Sequence, residues 1–157
     1  MVTGPFYVEE SRVLLPDAFR FVFARELTRA VRLQNFLTLV VVEARQQVEG
    51  ATVSADDATL HELAQLIGRE VREVDPLGQT DEGVLGMVLM DADYEHAMLV
   101  INRIVSRIDT YEFPIRLGIA ISAACYPTDA VDVESLRRQA TARPVVWRGR
   151  TQASDRH

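Results

Sequence analysis

The sequence predicts an α+β fold, with one central, mostly antiparallel sheet backed by helices. Three observations lead there. Four stretches carry helix signals, four short runs are apolar and β-rich, and the two kinds alternate along the chain. With 157 residues, 48% of them hydrophobic, the chain is long enough for one full core and too short for two ordinary domains.

Pro16-Asp17 opens the first helix, whose apolar stripe of Phe19, Phe23, Leu27, Ala30 and Val31 runs beside Arg20, Arg25, Arg29 and Arg32. Residues 36–42 are apolar or β-branched apart from Thr38 and read as a strand covered on both faces. The polar stretch 45–55, which contains Gly50, reads as a connection. Asp56 and Asp57 then cap a helix carrying Leu60, Leu63, Ile67 and Val71 on one face, and Pro76 ends it. Leu77 to Gln79 and Val84 to Met90 form a hairpin about a polar turn, with the second arm buried. Asp93 caps a third helix that turns Ala97, Val100, Ile101, Ile104 and Ile108 inward. Residues 115–124 are β-rich and close at Tyr126-Pro127, and a short helix spans residues 132–140. This order contains the βαββαβ arrangement of ferredoxin-like palms. It assigns residues 1–15 to an irregular segment, 16–147 to the domain, with Trp147 its last core anchor, and 148–157 to a polar tail.

The balance of 23 acidic against 17 basic residues, net charge −6, argues against general attraction to nucleic acid or an anionic membrane. Every basic side chain is Arg, whose planar fork suits carboxylates, phosphates and guanine edges. The lone Cys125 excludes an internal disulfide and points to a reducing compartment. Glu9 and Glu10 stand where a signal peptide needs positive charge, and no stretch approaches a membrane span, so a soluble, cytoplasmic protein is expected. His61 and His96 have no second ligand at metal spacing, and Asp91, Asp93 and Glu95 are explained as helix capping. Neither a metal nor a cofactor is expected.

The most specific pattern is Arg72-Glu73-Val74-Asp75, five residues, then Asp81-Glu82-Gly83-Val84-Leu85 leading into Met87-Val88-Leu89-Met90. With Tyr126-Pro127 and the helix after it, this stretch resembles a GGDEF domain, the bacterial diguanylate cyclase module, over roughly residues 16–140. The resemblance implies that carboxylates after the first strand and in the hairpin turn hold divalent cations, but here those positions read Glu43, Arg45 and Gly83. Asp81 and Glu82 replace the two glycines of the family turn, and the base-reading positions fall on Ala51 and Leu60. An alternative register slides Asp81-Glu82 onto the family's own Asp-Glu but still loses both glycines. A degenerate domain without cyclase or other enzymatic activity is therefore expected.

The resemblance also implies an inhibitory site in which an RxxD motif and an Arg of the next helix bind cyclic di-GMP. Arg72, Asp75 and Arg103 fill those three positions. An Arg fork donates to guanine O6 and N7, and a carboxylate accepts from N1 and N2. The expected function is a cyclic di-GMP receptor in signal transduction, forming a homodimer or acting with a protein partner. The alternative is a nucleotide-independent interaction or dimerisation module.

Overall fold

In chain order the elements are β1 (Val13–Leu14), α1 (Pro16–Leu33), β2 (Leu37–Val48), β3 (Ala51–Ser54), α2 (Asp57–Gly68), β4 (Leu77–Asp81), β5 (Val84–Met90), α3 (Tyr94–Thr110), β6 (Leu117–Tyr126), α4 (Val133–Ala142) and β7 (Val146–Arg150). This computed structural model describes Tyr7, Val8 and residues 11–142 and 144–150, the last four by backbone alone. The described strands form one sheet in the order β1-β4-β5-β2-β6-β7, with β3 paired to the far end of β2. All pairings are antiparallel except β1 with β4. The expected α+β palm with its βαββαβ core is observed.

Strand alternation divides β2 between two cores. Val40, Val42 and Ala44 pack with α2 and α3, whereas Leu37, Leu39 and Val41 pack with α1 and α4. On α1, Phe19, Phe23, Leu27 and Ala30 are buried as the stripe predicts, but Val31 is 45% exposed. Helix α1 also lies unusually close to the sheet. A Cβ on Gly78 would meet Phe19 side-chain atoms at 2.6–2.9 Å, and one on Gly86 would meet Phe19 Cζ at 3.0 Å. Gly78→Ala is therefore expected to cost about 2 kcal/mol through overpacking, read as a lower urea midpoint at unchanged m value.

The caps expected at Asp56 and Asp93 form, Asp57 is instead the first residue of α2, and Asp132 caps α4 in the same way. Asp56 accepts from Thr59 N at 2.8 Å and Asp93 from His96 N at 2.9 Å, while Asp132 accepts from Ser135 N at 2.8 Å. These backbone donors hold all three carboxyls below the usual range. Their stabilisation is present above the ordinary carboxylate pKa and is lost as pH falls through the lowered folded values.

Four segments differ from expectation. Helix α2 ends at Gly68 and not at Pro76, so Val71 lies in the loop beyond it. The polar connection 45–55 is a β-hairpin instead: β2 continues to Val48, turns through Glu49 (φ 50°) and Gly50 (φ 82°), and returns as β3. Most side chains there are exposed, so the apolar alternation that marks a half-buried strand is absent. The segment 1–15 contains β1, and residues 148–150 of the expected tail belong to β7. The side chain of Trp147, the proposed anchor, and tail residues 151–157 lie outside the described residues.

Candidate functional site

Helix α2 ends at Gly68, and the chain crosses to β4 through a loop that carries Arg72 and Asp75. Arg72 to Asp75 is a closed turn: Asp75 N donates to Arg72 O at 2.9 Å, and Asp75 Oδ2 accepts from Arg72 N at 3.2 Å. The carboxylate also accepts from Arg72 Nε at 3.3 Å, Arg72 Nη2 at 3.2 Å and Met90 N at 3.0 Å. Asp75 is only 3% exposed, so these four bonds use its accepting capacity inside the protein. Arg72 Nη2 additionally donates to Met90 O, which ties the turn to the end of β5.

Arg103, on α3, reaches the same loop through Glu70. Its Nε lies 3.3 Å from Glu70 Oε1, and its Nη2 donates to Glu70 O at 3.1 Å. Arg107, one helical turn further on, binds Glu70 Oε2 at 2.7 Å. The Glu70 side chain is 10% exposed, whereas Arg72, Arg103 and Arg107 each leave more than half of theirs in solvent. Two inward carboxylates thus anchor three half-exposed guanidiniums on one loop and the helix beside it. Among the described residues, Nη1 of Arg72 and Nη1 of Arg103 have no partner.

Beneath the loop lies Arg12, just before β1. Its guanidinium donates to Gly68 O at 3.1 Å and Val71 O at 3.3 Å, and to Arg72 O at 2.6 Å and Asp75 O at 2.7 Å. A cation here satisfies carbonyls at and beyond the C-terminal end of α2, where the helix dipole favours positive charge. Sequence reasoning missed Arg12, Glu70 and Arg107. The spacing of Arg107 one turn after Arg103 was available as a signal; nothing local marks Arg12, which lies about sixty residues before the loop it holds.

The hairpin turn has its own geometry. Gly83 has φ 69°, and a Cβ there would meet Ala44 O at 2.9 Å, so the tip requires glycine. Glu43 is paired with Arg45 at 3.1 Å, and Asp81 Oδ1 accepts from Glu82 N at 2.8 Å. Ala51 lies on β3 and Leu60 is in the core. Among the described residues there is no cluster of three His, Cys, Asp or Glu able to hold a metal. No described helix is long and apolar enough to cross a membrane.

No family model and no curated protein matches the chain. Solved structures do match. The FimX GGDEF domain of Pseudomonas aeruginosa superposes with TM-score 0.74 at 14% identity, covering 88% of this chain and 91% of that one. The active GGEEF domain of a diguanylate cyclase from Vibrio cholerae gives 0.67 at 16% identity, covering 80% and 85%. The fold is that of a GGDEF domain. A third GGDEF structure, DgcB of Caulobacter crescentus in complex with c-di-GMP, gives 0.68 at 12% identity, covering 90% and 87%. The expectation that this chain is not an enzyme is corrected here: structures with the same GGDEF fold include a cyclase domain described as active. Substitutions in the turn have not displaced the chain from the fold of working cyclases.

Proposed function

We propose that this chain is a GGDEF-type signalling domain of the bacterial cytoplasm that binds cyclic di-GMP at the loop carrying Arg72, Asp75 and Arg103. One observation carries the reading: Glu70 draws Arg103 and Arg107 onto the turn that bears Arg72, creating a local excess of guanidinium in a protein of net charge −6. Cyclic di-GMP offers matching acceptors, O6 and N7 on each guanine and two phosphates. The unpartnered Nη1 groups of Arg72 and Arg103 supply the donors. Asp75 has a different role from the one its spacing suggests. With its carboxylate buried and fully bonded, it holds Arg72 in place instead of reading guanine itself. Two stacked ligands would present further guanine edges to a second copy and so would link two copies into a dimer.

Arg103→Ala should weaken binding about tenfold, the loss of roughly 1.4 kcal/mol that one charge-assisted contact supplies, as measured by calorimetric titration with cyclic di-GMP. Its melting temperature should change little, because the Arg103 guanidinium is half exposed and Arg107 still pairs with the inward Glu70 carboxylate. Binding that survives unchanged in this variant removes Arg103 from the site. The alternative, a nucleotide-independent interaction module, draws on an apolar margin beside the same turn, where Leu33, Phe36 and Val74 are 53%, 45% and 67% exposed. A partner retained equally with and without cyclic di-GMP favours that alternative.

A further inference from the structure

On the opposite face of the sheet, α1 and α4 do not close over the strands between them. A cavity of about 300 Å³ remains, lined by Phe19 and Phe23 of α1, Leu39 and Val41 of β2, and Ala140 of α4. Its origin is visible in the sequence of β6. Ala120 and Ser122 are paired with Glu43 and Val41, and these small side chains leave the space unfilled. The size and apolar lining are those of a small-ligand site.

The charged rim, and not the floor, distinguishes this hollow from a packing defect; on the floor, Ser122 is 6% exposed and lines the cavity. Arg20 and Arg137 line the mouth from the two helices and, among the described residues, their guanidiniums are engaged only in exposed pairs with Asp17 at 2.9 Å and Glu134 at 3.3 Å. Such surface pairs contribute little and are readily exchanged for a ligand anion. The rim carboxylates Glu43 and Asp81 limit the charge that fits, so a single anionic group is favoured over a polyanion.

We infer that this cavity binds a small monocarboxylate with an apolar body, its alkyl or aryl part against Phe19, Phe23 and Leu39 and its carboxylate between Arg20 and Arg137. The inference is independent of the cyclic di-GMP reading, since the two sites share no residue.

The test uses octanoate and 1-octanol as probes on the full chain, by calorimetry and thermal shift. Saturable one-to-one binding of octanoate is expected, at least fivefold tighter than that of octanol. Ala120→Leu, which fills the cavity, should abolish both while the protein still melts cooperatively. Arg20→Gln with Arg137→Gln should weaken octanoate at least fivefold and leave octanol unchanged. Where Ala120→Leu does not fold, Ser122→Val replaces it and should weaken both probes about threefold. No saturable octanoate binding, octanol binding as tightly as octanoate, or binding unaltered by the cavity-filling or arginine variants would overturn the proposal.

Discussion

Asp75→Ala should destabilise the protein by about 4 kcal/mol, the cost of leaving buried donors without their acceptor. Arg72 N and Met90 N both lose the carboxylate that receives them at 3.2 and 3.0 Å, in a site that is 3% exposed. Arg72→Ala removes the other half of the visible ion pair, yet it should cost no more than about 1 kcal/mol, because that guanidinium is half in water. The two effects together decide what Asp75 is for. A large loss at Asp75 and a small one at Arg72, measured by urea denaturation with a double-mutant cycle, place its contribution in the backbone bonds and leave Arg72 available for ligand. Equal losses at the two positions would show instead that the side-chain pair is the main contribution.

Arg12→Ala should cost about 3 kcal/mol and loosen the same loop. One guanidinium serves four carbonyls at 2.6 to 3.3 Å, and a hydrogen bond to a charged group is worth about 1.5–3 kcal/mol, discounted here because the site is half buried and the carbonyls can rehydrate. Lysine should restore little, since an ammonium lacks the fork that spans carbonyls from Gly68 to Asp75. Hydrogen exchange offers a local readout: amides of residues 70–75 should lose protection more than those of β5 or α3. Uniform loss of protection across the chain would mean that Arg12 supports the whole fold and not this loop in particular.

Long periodic elements were readable without coordinates. The stripe on α3, the buried arm β5 and the acidic caps of α2 and α3 each carry a local pattern that burial then respects. The β3 hairpin was not readable, because side chains such as Gln47 and Thr52 bond each other at 2.8 Å in solvent and leave no apolar alternation. The short β1 has no signature of its own and exists through parallel pairing with β4, some sixty residues away. The candidate site divides in the same way. Spacing picked out Arg72, Asp75 and Arg103 as candidates, but only the folded loop shows the Asp75 carboxylate buried and bonded inside it, and Arg12 and Glu70 emerged only there. The turn around Gly83 misled in another sense. Replaced residues there suggested an inactive protein, whereas the palm that positions the turn is shared with cyclase domains.

Calorimetric titration of cyclic di-GMP into the wild-type protein and into Arg72→Ala, at matched salt, tests the central claim most directly. The wild type should give saturable heat at micromolar ligand, and the variant should bind at least about tenfold more weakly while melting within a few degrees of the wild type. No saturable heat from the wild type at tens of micromolar ligand, or undiminished binding by Arg72→Ala, would contradict it.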